Sequence, residues 1–443
     1  MQLNHIRETV LKQIFNTGIP YFDQLKAWDG VTEYKLDNPR ALLAAMDNPQ
    51  DQVKTVHVAG TNGKGSVCCY LAAILQASGA KKVGLHCSPH LSDICERVVI
   101  NGKPVARELF VKASEAVRTA ADSISIQPSF FEAVVACVFY LAREENFDWL
   151  VLETGLGGRL DATNLVHRPE LSIVTNIGFD HMSVLGETLT EIALEKAGII
   201  KEGSQVLLGD ILPEAKSAIL DYAGQLVTPE NTFRWADDFN LGKEKSVLPG
   251  GREISSDVFF DNSYSKPSSH NKFLAAAAAE ILGFGDSIEA GLRAARWPGR
   301  FEVFESNDRR IIVDVAHNPD GIEALIEAID NYLSKSNWNP KQVGLLVSML
   351  GRKNWKPMLD RLTSRFPEAQ FVFTSSSHPH SLSGRELLEH YSDGEVEENS
   401  ESAYRSLKKK DLLIVCGSLF LAGEVRPLIA KGDFRTFDGG SVA

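Results

Sequence analysis

The seven residues Gly60-Thr61-Asn62-Gly63-Lys64-Gly65-Ser66 place three glycines, a lysine and a hydroxyl side by side. Glycines let backbone N–H groups turn inward around phosphates, and a helix beginning there adds the positive potential of its N-terminus. In such a loop Asn62, Gly63, Lys64, Gly65 and Ser66 are the candidate nucleotide-binding residues. Lys64 can reach terminal phosphates, and the Ser66 hydroxyl can face a magnesium ion or a phosphate. The spacing is not the common GxxxxGK[ST], because Gly65 separates Lys64 from Ser66. The plainer reading is a tight turn with a solvated lysine. A buried strand before the loop and an apolar helix after it favour phosphate binding.

Three further segments offer metal donors: Ser88 in Ser88-Pro89-His90, Glu153, and Asp180-His181. A hydroxyl and a carboxylate suit Mg²⁺, which keeps waters and bridges phosphates. His181 alone reads as a hydrogen-bonded loop histidine, and Glu153 alone as a salt-bridge partner. Their common position after predicted strands, around one phosphate loop, favours a metal site. Lys196 follows Glu195 on a predicted helix, where its ordinary place is a solvated face.

The elements that must position these residues alternate. The pattern predicts a buried strand over 53–59, a helix over 66–78, strands over 149–152 and 171–174, and a helix over 188–200. Residues 211–266 are looser, with a few irregular strands expected, and an alanine-rich helix is predicted over 274–282. Trp297-Pro298-Gly299 punctuates the chain. A second alternation follows: strand 311–314, helix 321–332, and strands 343–347, 370–373 and 412–416. The fold class is therefore α/β. A P-loop ATPase domain built on a parallel sheet (1–297) precedes a smaller Rossmann-like domain (298–443).

The chain has 443 residues, 44% hydrophobic and 23% charged, enough for two packed cores. A net charge of −12 argues against nucleic acid or an anionic membrane as partner. Six cysteines (Cys68, Cys69, Cys87, Cys95, Cys137, Cys416) lack CxxC spacing and read as reduced thiols. With no apolar signal core at the N-terminus and no run long enough for a membrane helix, a cytoplasmic monomer is expected.

Taken together, Gly60–Ser66, Ser88-Pro89-His90-Leu91, Phe130-Phe131-Glu132, the run from Glu153 to Asn164, Asp180-His181, Glu195-Lys196-Ala197-Gly198-Ile199-Ile200, Pro298-Gly299-Arg300-Phe301-Glu302 and Asp314-Val315-Ala316-His317-Asn318-Pro319 resemble the folylpolyglutamate synthase and dihydrofolate synthase family, within the Mur-ligase superfamily. The resemblance implies an ATP-dependent ligase that makes an acyl phosphate and joins it to L-glutamate, acting on dihydropteroate or folates. It implies ATP on Asn62 to Ser66, with Arg300, Asp314 and His317 reaching the nucleotide or intermediate from the second domain. Phe130, Phe131, Glu132, Leu160, Asp161 and Ala162 would line the acid pocket. Ser88, Glu153 and His181 would bind Mg²⁺, and Lys196, carbamylated by CO₂, would ligate a second Mg²⁺. Lys64, His181 and Lys196 would be the catalytic side chains, and Pro298-Gly299 the hinge of a closing cleft.

The sequence departs from the family at Leu274, where an asparagine that holds adenine is usual. It also departs at Met349-Leu350-Gly351-Arg352-Lys353-Asn354, in the short stretch 210–269, and before residue 50. A paralogous ligase for a non-folate acid is the second reading. A nucleotide-binding regulator without catalysis is disfavoured by the joint presence of Lys64, Glu153, His181 and Lys196. A cell-wall Mur ligase would need a further N-terminal domain of about a hundred residues, and 59 precede Gly60.

Overall fold

Strand β1 (Lys54–Ala59) is buried at every position but its first, as its run of Val, His and Ala requires of a strand covered on both faces. It lies in an eight-stranded sheet with β2 (Val83–His86), β3 (Val98–Ile100), β4 (Lys103–Pro104), β5 (Trp149–Glu153), β6 (Leu171–Val174), β7 (Gln205–Leu208) and β8 (Thr232–Arg234). The order is β4-β3-β2-β5-β1-β6-β7-β8. Pairings from β2 through β5, β1, β6 and β7 to β8 are parallel, while β3 and β4 are antiparallel. After β1 the chain goes to one side, to β2 and β5, and then returns to β6 on the other. β1 is thus the topological switch point, beside which open α/β sheets bind ligands.

The computed structural model describes residues 17–25, 35–235, 238, 240–242, 244–260, 265–306, 308–336, 338–351 and 353–430, with 435–436 as backbone. Part of the stretch before residue 50, and Arg352 of the segment 349–354, lie outside these residues. The chain divides into two compact units. One is Thr17–Asn262 with Pro267–Arg296; the other contains Trp297–Ala443 and takes in Ser263–Lys266. No helix among the described residues is long and apolar enough to cross a membrane.

The helix Lys64–Ala77 follows β1 and buries Val67, Cys68, Leu71, Ile74 and Leu75, a stripe at helical spacing. Two helices absent from the sequence reading pack against each other further on: Arg107–Ser123, and Phe130–Glu144 with a Ser129–Glu132 capping box. The loose stretch after 211 holds another, Pro213–Ala223, which starts on proline and buries Ala215, Ile219 and Ala223. The alanine-rich helix begins earlier than expected and runs Lys266–Ile281.

The second unit carries its own sheet, ordered β15-β14-β13-β16-β12-β11-β17. In chain order these strands are β11 (Glu302–Glu305), β12 (Arg310–Val313), β13 (Val343–Val347), β14 (Gln370–Phe373), β15 (Glu395–Val396), β16 (Leu412–Cys416) and β17 (Arg435–Thr436). (The hairpin of Lys245–Val247 and Glu253–Ser255 in the first unit supplies β9 and β10.) Pairings among β12, β16, β13, β14 and β15 are parallel. Ile312, Leu345, Val347, Phe371 and Ile414 form its core with Ile322, Ile329 and Tyr332 of helix Pro319–Ser336.

Candidate active site

The loop after β1 is shaped by backbone that only glycine accepts easily. Gly63 caps the following helix at φ 82°, and a Cβ there would lie 2.3 Å from Asn271 Oδ1. At Gly60 a Cβ would stand 1.9 Å from Thr175 Oγ1. The loop is tied to the end of β6: Thr175 Oγ1 donates to Asn62 O at 2.8 Å, and Asn62 N–H donates to Asn176 Oδ1 at 2.9 Å. Thr61 Oγ1 donates to Gly178 O and accepts from Gly178 N. Thr61, Thr175, Asn176 and Asn271 were missed by sequence reasoning. Only Thr61 lies inside a recognisable spacing; the others become neighbours through the parallel register and the helix from 266.

Two ammonium groups converge on one carbonyl. Lys64 Nζ donates to Gly60 O at 3.1 Å and to Thr61 O at 3.3 Å. Lys196 Nζ donates to the same Gly60 O at 2.9 Å. Lys196 does not take the solvated face that is the ordinary place of a helical lysine: the residue is 4% exposed, and Glu195 pairs with Arg159 at 2.7 Å. The physical reason is the helix Leu189–Ala197, whose buried side also carries Ile192, Ala193 and Ala197. Burial lowers Lys196 to about 7, and Lys64 pushes the same way, while Asp180 and Asp161 oppose them.

Two of the metal-donor candidates, Ser88 and Glu153, lie on the side of β1 that holds β2 and β5, whereas His181 follows β6 on the other side. Glu153 ends β5 at 5% exposure, and its Oε2 accepts Ser88 N–H, which follows β2, at 3.0 Å. Buried Cys68, in the helix after the loop, feels both Glu153 and Lys64. His181 sits at φ 50° beside Asp180, Nε2 to Oδ2 3.7 Å. Among the described residues no three His, Cys, Asp or Glu side chains converge as a metal cage. A hydroxyl and one buried carboxylate at a phosphate loop fit Mg²⁺, which takes few protein ligands and fills its octahedron with water and phosphate oxygen.

The acid-pocket candidates divide. Phe131 reaches the loop after β5, where a Cβ on Gly155 would meet its Cζ at 2.5 Å, and its ring lies 6.1 Å from His86. Leu160 is half-buried. The others have partners in the local architecture. Phe130 is 3% exposed against Phe22, and Glu132 Oε2 closes the helix cap on Ser129 N at 2.7 Å. Ala162 is buried. Asp161, also buried, accepts from Leu156 N at 2.7 Å and Thr163 N at 3.0 Å; burial nonetheless raises its carboxyl.

In the second unit Asp314 follows β12. Its oxygens accept Phe301 N at 2.8 Å and Ala316 N at 2.7 Å. Burial raises its carboxyl while exposed Arg300 draws it down. His317 Nδ1 meets Val315 O at 2.8 Å, which directs Nε2 away from the backbone.

Known proteins are similar to this chain in sequence and fold. The Mur ligase middle domain matches residues 58–210, and the Mur ligase glutamate ligase domain matches 299–419. A dihydrofolate synthase/folylpolyglutamate synthase of Bacillus subtilis is 30% identical over 416 residues, spanning 88% of this chain and 94% of that protein. A folylpolyglutamate synthase of Lacticaseibacillus casei is 32% identical over 418 residues, spanning 88% and 93%. A bifunctional folylpolyglutamate synthase/dihydrofolate synthase of Yersinia pestis, solved with AMPPNP and Mn ion, superposes with TM-score 0.77 at 27% identity, covering 93% of this chain and 97% of that one.

Proposed function

The chain belongs to the dihydrofolate synthase/folylpolyglutamate synthase family of carbon–nitrogen ligases, and from that premise we propose that it joins L-glutamate to the carboxylate of dihydropteroate or a folate at the expense of ATP. The observation that carries the reading is the convergence of Lys64 and Lys196 on Gly60, one strand away from the Ser88–Glu153 pair. A phosphate loop alone would serve any ATPase.

In this reading the loop Asn62 to Ser66 holds the phosphates at the N-terminus of a 14-residue helix, with the N–H groups of Gly63 to Ser66 as donors. Lys64 leaves the Gly60 carbonyl for the β- and γ-phosphates and balances charge as the γ-phosphoryl group moves. A substrate carboxylate oxygen attacks that phosphorus, the bond to the β-phosphate oxygen breaks, and ADP leaves an acyl phosphate. The glutamate amine then attacks the acyl carbon, loses a proton, and expels inorganic phosphate. Mg²⁺ held by Ser88, Glu153 and His181 would supply Lewis-acid stabilisation of the phosphoryl oxygens. Lys196, as a carbamate, would offer two anionic oxygens to a second ion. Phe131 and Leu160 would face the acid, with Asp161 shaping the loop that carries Leu160. Arg300, Asp314 and His317 would serve the nucleotide or the intermediate from the domain that follows residue 297.

The test is phosphate release with Mg-ATP and L-glutamate, with and without dihydropteroate or tetrahydrofolate, and product masses. A pterin-dependent rate and a product heavier by one glutamate residue are expected, with Lys64→Ala slower by at least about a hundredfold. ATP binding without any pterin dependence would overturn the folate assignment and favour a different carboxylic acid.

A further inference from the structure

The phosphate loop, where the helix Lys64–Ala77 begins, is touched from outside by a second helix. Asn271 of Lys266–Ile281 lies against Gly63, and its neighbour His270 turns toward the end of β8. There the His270 and Trp235 rings lie 4.8 Å apart with planes inclined by 34°. Trp235 is fixed from behind: its backbone N–H donates to Leu208 O at 3.0 Å, and its ring meets buried Phe273 edge-on at 5.1 Å. Phe273 in turn meets buried Phe259 at 5.1 Å. Both His270 and Trp235 stay half-buried. Asp210, just beyond β7, stands at their rim with its side chain 63% exposed and Oδ2 3.9 Å from His270 Nδ1.

The strand order puts this aromatic pair on the side of β1 opposite to Ser88 and Glu153: β2 and β5 lie one way, β7 and β8 the other. Phosphates on the loop leave the base of a nucleotide to find a flat apolar surface beyond the ribose, and His270, next to Asn271 at the loop, begins one. Leu274, the residue facing Gly209 on the same helix, is 3% exposed and has no polar atom with which to read a base. Base readout must come from side chains around it.

Resting on the nucleotide reading above, we propose that Trp235 and His270 form the stacking platform for the nucleobase. Asp210 then selects adenine: its carboxylate accepts a hydrogen from the 6-amino group, where guanine would present a carbonyl oxygen to the same carboxylate. Tryptophan and histidine faces stack any base, so the platform supplies affinity and the carboxylate supplies choice.

Calorimetric titration of the full chain with ATP, GTP and inorganic tripolyphosphate separates these roles. Trp235→Leu is expected to weaken ATP by roughly tenfold or more while leaving tripolyphosphate unchanged. Trp235→Phe, which keeps a ring, restores most of the affinity. Asp210→Asn, at an exposed side chain, brings ATP and GTP to within a few-fold of each other. Unchanged ATP affinity in Trp235→Leu, or a parallel loss of tripolyphosphate, overturns the platform. An ATP preference that survives Asp210→Asn overturns the selector. Lys64→Ala separates the two readings: loss of tripolyphosphate binding there, with Trp235→Leu silent, keeps the phosphate loop and sinks the platform. The reverse pattern keeps the platform and sinks the loop.

Discussion

A lysine that is neutral near pH 7 is a nucleophile toward CO₂, and Lys196 meets that condition because burial and Lys64 together hold it at about 7. Above that pH the free amine dominates and CO₂ can add, releasing a proton; below it the ammonium persists and the carbamate is lost. Turnover at fixed dissolved CO₂ should therefore rise as pH passes through about 7. Lys196→Ala should fall by about a hundredfold or more and recover in part with formate or acetate, while Lys196→Arg should not recover. Carbon-13 spectra under labelled CO₂ would show the carbamate directly, and a fully active Lys196→Ala would sink the assignment. The sequence showed Lys196 on a helix but not which face it takes, because Glu195 and Lys196 are adjacent and only packing decides between them. Glu132 shows the opposite case: Ser129-x-x-Glu132 has capping-box spacing, a signal in the sequence that the acid-pocket expectation passed over.

Elements with one dominant pattern were the legible ones. The strands 343–347, 370–373 and 412–416 have the observed bounds because they are apolar runs buried on both faces. The helix Pro213–Ala223 was not seen, since its buried stripe is narrow and partly alanine, with exposed Leu212 before it. The switch point at β1 could not be read at all, because strand order is a long-range property. The junction of β1 and its helix makes a sharp test. Gly63 combines positive φ with Asn271 Oδ1 in the space of a Cβ. Gly63→Ala should lower stability by about 1–3 kcal/mol and weaken ATP. Gly250→Ala, also at positive φ but with open space around its Cβ, should spare ATP binding. Equal ATP affinity for both variants would show that the loop tolerates reshaping.

For the whole molecule, buried histidines set the response to acid. His57, at the centre of β1, is fully buried; its Nε2 lies 2.9 Å from Thr163 Oγ1, whose hydrogen goes to Asp161. Thr163 therefore accepts from Nε2–H, and Nδ1 has no hydrogen-bond partner. A second proton would have to sit on that nitrogen in an apolar interior, so burial lowers His57 to about 3. His86 on β2 is held at about 3 by burial as well. Between pH about 6.5 and 3 the unfolded chain binds these protons and the native one does not. Stability is then complete above 6.5 and falls as pH drops, by up to about 1.4 kcal/mol per pH unit for each histidine. Hydrogen exchange of the β1 amides, measured from pH 7 to pH 5, should show that slope. His57→Gln keeps an N–H for Thr163 and removes the titration, so its slope should be shallower by about one proton. An unchanged slope would mean that acid enters the first unit elsewhere, with His86 the next position to substitute.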